Sequence, residues 1–593
     1  MSHRKKMFDT RVVALVFGLV LIPALLIGGA TAARADWTWN PSSVEVPGTA
    51  FDLDLGQGLQ DSIPLAGPDG SLTVATLYST VDGYQVRVSE RPAGTETFGP
   101  SETVQTIDAP AARRFSGVIT PDGTITLGWM SGDTFFFERD VETITRPAGE
   151  AEFEGPEVIS GDLRPSARLD ELELVAGPDG STTAIWLAYD QDAGEYFSEV
   201  ATRTAGSATF GTPEELATSE VYALPDLAVG PGGSALATWV DDLDGQVYTT
   251  SRPSSTVQFG PEEQLTSGGT GEEAFDDPRA AIASDGSAAV SWVEGFEDES
   301  EIQGYGVQIR PANSTGFLPP VRVNPETEYA VGNGGLAFDG SGRLTVLWTG
   351  DDSLDEGRIF SLFAAVQTGE TSFGDPELLS SPDPLDLGWA VDPSLAVSPS
   401  GQAVAVWEQR IFAPNRDDDE VAVAGVLRDA GDGAFLLPAE NLWGPLLAFN
   451  NQPWASDPIT SVILPSGSTA VTYTVLSQRQ GATYVRSTPK PPQPRFTALR
   501  LKAGPSKVRR GAKVKLTVSV TNSGTATGTA KVRLLPSPSK AAKVTSKLTL
   551  RIAPGNTVRR TVKATITRKA GKKITFKAKS GNLARQVQVK VKR

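Results

Sequence analysis

One pattern recurs along most of this 593-residue chain, and repetition on that scale limits the fold more than any other feature. Each copy has an alternating apolar strand, a Pro/Ser-Asp/Ser-Gly turn, and a second alternating strand ending in an aromatic residue. The turn and aromatic pairs are Pro121-Asp122-Gly123 with Trp129, Pro178-Asp179-Gly180 with Trp186, and Pro231-Gly232-Gly233 with Trp239. Ser284-Asp285-Gly286 with Trp292 and Pro399-Ser400-Gly401 with Trp407 follow the same spacing, eight residues from turn to aromatic. Trp348 follows a turn slipped by one residue, Pro465-Ser466-Gly467 leads to Tyr473, and Pro68-Asp69-Gly70 leads to Thr76 with Tyr78 beyond it, which makes eight copies. A second half has an arginine followed by a Phe-Gly-x-Pro-like segment: Arg91-Pro92-Ala93-Gly94 precedes Phe98-Gly99-Pro100, Arg203 precedes Phe210-Gly211-Thr212-Pro213, and Arg252 precedes Phe259-Gly260-Pro261.

Four short strands fit each copy. In the seventh they are expected at 394–399, 402–408, 420–428 and 435–439. Glycine after Asp or Ser suits a tight hairpin because it accepts positive φ. Ala403, Ala405 and Trp407 share one face of their strand while Val404 and Val406 share the other, so both faces are apolar, as in a sheet held between two others. The tryptophans are accordingly expected in the core between sheets, with an exposed sugar-stacking surface as the competing role.

This repetition predicts an all-β fold, an eight-bladed β-propeller over 36–488, with seven blades plus an irregular first unit as the alternative. The eighth copy ends after Arg486 without its Phe-Gly-x-Pro segment, whereas Trp39-Asn40-Pro41-Ser42-Ser43-Val44 resembles that segment and stands before the first copy. Residues 39–46 are therefore expected to close the last blade, which removes an open sheet edge.

The blade order is similar to that of sialidase-type (BNR) propellers. The turn that carries their Asp-box, Ser-x-Asp-x-Gly-x-x-Trp, holds Arg-Pro-Ala-Gly here, and the arginine triad, tyrosine and aspartate of a sialidase have no counterpart in the sequence. The resemblance implies architecture for 36–488. The chain also resembles exported repeat proteins of high-GC Gram-positive bacteria.

Arg4, Lys5, Lys6 and Arg11 precede an apolar run ending at Ala33-Arg34-Ala35, which marks residues 1–35 as a signal peptide. Val12 to Ala30 is also long enough for a retained membrane anchor. Either reading places the body of the protein outside the cytoplasm, secreted or associated with the cell envelope. The chain has no Cys, and its one histidine, His3, lies in the leader. Ser-His-Asp and Cys-His catalysis and Cys/His zinc sites are thereby excluded from the remainder. No catalytic or cofactor-binding residue emerges.

Acidic residues gather in the loops after the aromatic strands. Asp190, Asp192, Asp241, Asp242, Asp244, Asp351, Asp352, Asp355, Asp417, Asp418 and Asp419 are the candidates for structural Ca²⁺ through hard oxygen ligands, against a solvated acidic rim. No loop has a complete Asp-x-Asp-x-Asp-Gly run. Two such carboxylates would also suit glycoside hydrolysis. The repeat arginines are expected to pair with a neighbouring blade's carboxylate or to lie over the following proline.

Residues 489–494 form a Pro-rich linker, and the charge then reverses. Residues 36–490 hold 21 basic and 70 acidic side chains, a net of −49, whereas 491–593 hold 27 Lys and Arg with no Asp or Glu. Alternating segments at 513–521, 529–535, 546–552, 557–566, 572–578 and 584–591 predict a β-sandwich over 495–593. Gly511-Ala512-Lys513-Val514-Lys515-Leu516-Thr517-Val518 through Asn522-Ser523-Gly524, with Leu550-Arg551-Ile552-Ala553-Pro554-Gly555, resembles the CARDB-like domains of immunoglobulin type. That resemblance implies surface association. Its positive surface is suited to an anionic cell-wall polymer, while no nucleic-acid recognition motif is present. A glycan or protein ligand is the expected partner of the ring, and the membrane is a partner only if the leader is retained. The leading expectation is a noncatalytic extracellular interaction or adhesion scaffold. A carbohydrate-active enzyme and a secreted structural protein without a discrete ligand are the alternatives.

Overall fold

The computed structural model describes residues 39–592 apart from 53–57, 135–136, 162–166, 217–220, 222–223, 242–243, 268–274, 295–303, 326–328, 352–359, 381–387, 412–419, 431–432, 448–453, 478–479, 489–495, 523–527, 553–555 and 582. The leader and the Pro-rich linker lie outside the described residues. The chain divides into two compact units, Trp37–Pro491 and one containing Pro492–Arg593.

The first unit is all-β, built from antiparallel sheets that follow one another along the chain in a propeller-like arrangement. Sheet 1 runs Gly58–Ala66, Leu72–Thr80, Gly83–Arg91 and Glu102–Ile107 in spatial as in chain order. Sheets 2 to 7 repeat this order, with first strands Ala111–Ile119, Ala167–Ala176, Asp226–Val229, Phe275–Ile282, Tyr329–Phe338 and Gly388–Val397. Sheet 8 takes Trp454–Ile463, Thr469–Ser477 and Gln480–Ser487 from one end of the unit and Val44–Glu45 from the other. Val44 lies opposite Val485 and Glu45 opposite Tyr484. The Asn40 N–H donates to the Ser487 carbonyl and the Val46 N–H to the Thr483 carbonyl, each at 2.9 Å. The pairing extends past 46, because Phe51–Asp52 also joins this edge opposite Gly481 and Gln480.

Each first strand packs against the first strand of the next sheet, and the strand of sheet 8 packs against that of sheet 1. An apolar core fills every one of these junctions. Trp129 fills the gap from sheet 2 toward sheet 1, beside Leu65, Leu77 and Val86. Trp186 meets Met130 and Val141 of sheet 2, while its chain neighbour Ile185 faces sheet 4. Trp239, Trp292, Trp348, Trp407 and Tyr473 do the same toward sheets 3 to 7. Between sheets 8 and 1, where the sequence offers Thr76 in place of an aromatic, Val46, Leu72, Val74, Leu464, Ala470 and Val485 close the junction. The tryptophans at 129, 186, 239, 292, 348 and 407 are at most 2 % exposed. Strand alternation explains this, since successive side chains point into opposite neighbouring sheets.

Sequence expectation and structure differ at the outer strand. In sheet 7 it spans Glu440–Leu447, after the segment expected at 435–439. The Phe-Gly-x-Pro motif is a turn that precedes the strand: Gly99, Gly211, Gly260 and Gly374 return their N–H to the third strand, and proline then interrupts the ladder.

The second unit is a two-sheet sandwich. One sheet has the order Phe496–Gly504, Lys513–Asn522, Thr557–Ile566, Ala542–Lys543. The other has the order Lys507–Arg509, Leu583–Lys592, Lys573–Ser580, Gly528–Ser537, Lys547–Ile552, with Lys507–Arg509 parallel to its neighbour. Leu516, Val518 and Ile566 of one sheet and Val532, Leu534, Ile574 and Phe576 of the other share a core. Phe496–Gly504 is a strand that the alternating pattern alone did not identify.

Candidate functional site

Most residues that repeat in the sequence are used to join one sheet to the next. Arg203 shows how. One Nη donates to Thr145 Oγ1 at 2.5 Å and the other to Thr126 Oγ1 at 2.6 Å, both on sheet 2, while its guanidinium lies 5.4 Å from the Phe210 ring centroid. Arg252 reaches Thr202 and Thr183 of sheet 3 at 2.7 and 2.8 Å and covers Phe259 at 4.9 Å. Arg310 reaches Ser251, Arg428 reaches Thr345, and Arg91 reaches Ser487. Only Arg146, of these direct contacts, meets a carboxylate, Glu90 at 2.5 Å. Arg146 thus meets the expected carboxylate of a neighbouring sheet, while the other arginines place their guanidinium on hydroxyls of the preceding sheet, and each lies over the phenylalanine of its own motif. Burial lowers the pKa of Arg203 and Arg252, with Glu157 and Glu214 nearby opposing that shift. Glutamates make a second joint: Glu157 Oε1 accepts the Phe210 N–H at 3.0 Å, Glu214 accepts the Phe259 N–H, and Glu377 Oε2 accepts the Phe435 N–H at 2.9 Å.

The turn aspartates are also occupied. Asp69 Oδ1 accepts from Ser71 N and Oγ at 2.8 and 2.6 Å, and Asp179 holds Ser181 in the same way. The Ser71 hydroxyl and amide hold the Asp69 carboxyl below its ordinary range. The indole N–H groups of Trp129 and Trp186 donate to Glu142 and Glu199 directly across the ladder.

The candidate Ca²⁺ loops are only partly described. Asp242, Asp352, Asp355, Asp417, Asp418 and Asp419 lie outside the described residues, and Asp351 is placed only as the last residue of its strand, Leu344–Asp351. Asp190 Oδ1 accepts the N–H groups of Asp192 and Ala193, forming a turn. Asp244 accepts from Gln246 N at 2.9 Å and from the Tyr248 hydroxyl at 2.9 Å. Burial, followed by that bond to Asp244, pushes the Tyr248 pKa up to about 12. Among the described residues no three His, Cys, Asp or Glu side chains converge in a metal-binding group.

One charged cluster was not singled out by the sequence. Glu173, Asp226 and Arg279 lie on the first strands of sheets 3, 4 and 5, each opposite the residue just before the tryptophan of its sheet. Asp226 Oδ1 is 3.3 Å from Arg279 Nη1, and Asp226 Oδ2 accepts the Ala280 N–H at 2.7 Å. Glu173 is reached by solvent yet surrounded by protein. Burial, reinforced by Asp226 and opposed by Arg279, pushes its pKa up to about 8. Burial also raises Asp226, against the pull of Arg279 and the Ala280 amide. Its only sequence trace is a charge inside an apolar alternation, as in Leu172-Glu173-Leu174. The same position holds Ser116 and Ser394 elsewhere, which accept Leu174 N at 2.8 Å and Ser461 N at 3.2 Å from the next sheet. Asp226 performs that same tie, so its geometry is accounted for by sheet-to-sheet bonding. Glu173 and Asp226 are thus two carboxyl groups within electrostatic reach of one another, both with pKa raised by burial.

The Glu173 shift has a definite consequence for stability. The folded pKa near 8 exceeds the ordinary 4.5, so the folded state holds the extra proton between these values. Stability therefore falls as pH rises through that window and levels off above about 8. Glu173→Gln is expected to flatten the decline in thermal midpoint between pH 5 and pH 8. Parallel wild-type and variant curves would refute this assignment.

Two depressions lie among the described residues of the first unit. One, about 550 Å³, is lined by Gln60, Ser79, Asp82, Tyr84 and Asp108. The other, about 530 Å³ and more apolar, is lined by Pro121, Pro178, Val229, Pro231 and Ile282 at the hairpin turns of sheets 2 to 5. Neither contains Glu173 or the acidic loops.

No family model matches the chain, and no curated protein matches it. Solved structures give distant fold-level similarity. A protein of unknown function from Dyadobacter fermentans is 12 % identical with a TM-score of 0.32, covering 55 % of this chain and 99 % of its own. An α-L-arabinofuranosidase from Fusarium graminearum is 10 % identical with a TM-score of 0.34, covering 55 % of this chain and 94 % of its own. A PL25 polysaccharide lyase, an ulvan lyase, is 9 % identical with a TM-score of 0.37, covering 62 % and 90 %. Several of these neighbours are carbohydrate-active enzymes, but likeness at this level carries no argument about chemistry.

Proposed function

We propose that this chain is an extracellular binding protein, an eight-bladed propeller joined to a basic immunoglobulin-like sandwich that associates with anionic cell-envelope polymer. The observation that carries the reading is the absence of any carboxylate from residues 491–593 beside 27 Lys and Arg, on a domain with its own apolar core. Positive charge of that density, without internal compensation, attracts anionic chains and repels like-charged surfaces. The closed eight-bladed form is supported by the pairing of Val44–Glu45 with Gln480–Ser487 and by the core between sheets 8 and 1. The propeller serves as the scaffold, since its repeated Trp, Arg and turn Asp residues join sheets or cap turns.

A second reading, cleavage of a carbohydrate, rests on Glu173 and Asp226, which combine a raised pKa with a neighbouring carboxylate. The full chain assayed on anionic envelope polymers and neutral glycans, with product release followed alongside, separates the two. Salt-sensitive retention on the anionic polymers without product is the expected result. Released sugar that is abolished by Glu173→Gln would replace the binding reading with the catalytic one.

A further inference from the structure

The two outer faces of the sandwich differ in how their cations are arranged. In the five-stranded sheet, Lys547 lies opposite Arg533, and Arg533 opposite Lys579. Lys507 lies opposite Lys590, and Lys590 opposite Lys573. All six side chains are exposed. Each row therefore sets three like charges on adjacent strands, which are about 4.8 Å apart. Like charges placed directly opposite one another destabilise a sheet. Among the described residues the four-stranded face has no such row. Lys515 faces Lys563, but Thr517 and Thr521 pair with Thr561 and Thr557 through hydroxyl contacts of 3.1 and 2.7 Å.

We propose that the outer face of the five-stranded sheet is a docking surface for a linear phosphate polymer, with the rows Lys547–Arg533–Lys579 and Lys507–Lys590–Lys573 as its two contact lines. This rests on the polymer-binding reading above and assigns it a face and a chemistry. A phosphate in a chain keeps a full negative charge and presents unsubstituted oxygens from a tetrahedral centre. One such group can accept from cations on two adjacent strands, so each row relieves its repulsion by taking up phosphates. Arginine adds its planar fork of donors to Arg533's row, a geometry matched to phosphate oxygens. Outward residues two apart on a strand, such as Lys577 and Lys579, continue the charge lengthwise at about 6.8 Å.

The test uses the full chain and inorganic polyphosphate, with polyglutamate as the carboxylate counterpart. Wild type is expected to bind polyphosphate, weakening steeply with salt through counterion release. Replacing Arg533, Lys573, Lys579 and Lys590 together by Gln is expected to reduce affinity at 0.1 M salt by on the order of 10² to 10³-fold. Replacing Lys502, Lys515, Lys563 and Arg559 on the other face removes equal charge and is expected to cost less than about tenfold. Both variants are checked for an unchanged β-sheet circular dichroism spectrum. Equal losses from the two faces would overturn the face assignment while leaving polymer binding intact. Equal affinity for polyglutamate would overturn the phosphate assignment. Binding of neither polymer by wild type would overturn the inference and the underlying reading of the basic domain together.

Discussion

Trp186→Ala is expected to lower the stability of the first unit by about 3 to 5 kcal/mol, as measured by denaturant or calorimetric unfolding. Trp186 is fully buried and packs against Met130 and Val141 of the preceding sheet as well as Ala184, Phe197 and Ala201 of its own. Removing the indole opens a cavity between two sheets whose backbones are fixed by their own ladders, so little collapse can compensate. It also removes the donor that meets Glu199 Oε2 at 3.1 Å. Trp389 supplies the contrast, because it is only partly buried and makes a tilted contact with Phe360 at 5.1 Å. Trp389→Ala is expected to cost less than half as much. If the two substitutions were equally mild, Trp186 would not be holding sheets 2 and 3 together. Trp186 is not expected to bind glycan, since no ring surface reaches solvent.

The tryptophans were legible because their signal is local. A fixed eight-residue offset from a turn, on a strand apolar on both faces, has one common solution in a sheet held between sheets. The arginine joints were harder to read. Arg203 and its partner Thr145 stand 58 residues apart, and threonine on a strand offers no sequence cue that it accepts a guanidinium. The periodicity contained the answer, because Thr145, Thr202 and Ser251 each immediately precede the arginine of their own copy. The outer strand was misplaced because Phe-Gly-x-Pro has strand-like residues, while the proline and the returning glycine N–H define a turn. The charged cluster is hidden in the sequence for a related reason. Runs of Asp in loops are conspicuous within one copy, whereas Glu173, Asp226 and Arg279 are single charges in three separate copies that only the stacking of first strands brings together.

Val46→Asp tests the junction on which closure depends, and it is expected to be at least as damaging as Trp186→Ala. Val46 is fully buried among Leu72, Val74, Leu464, Ala470 and Val485, a core shared by the first and last sheets. Its N–H donates to the Thr483 carbonyl at 2.9 Å, so its backbone is fixed where the new carboxylate would sit. An unpaired charge in such a place costs several kcal/mol or forces the segment out. Expulsion would uncover the edge strand Gln480–Ser487, whose outer ladder is supplied by Val44–Glu45 and Phe51–Asp52. Amide exchange at Thr483 and Val485 should therefore accelerate by about 10²-fold or more, following a local loss of about 3 kcal/mol. Glu45→Ala, one residue away on the exposed side of the same strand, is expected to change stability by about 0.5 kcal/mol or less. Protection of Thr483 and Val485 that survives Val46→Asp would mean that the last sheet is stable without the N-terminal strand. The junction between sheets 8 and 1 would then depend on the packing of Leu72, Val74, Leu464, Ala470 and Val485 without Val46.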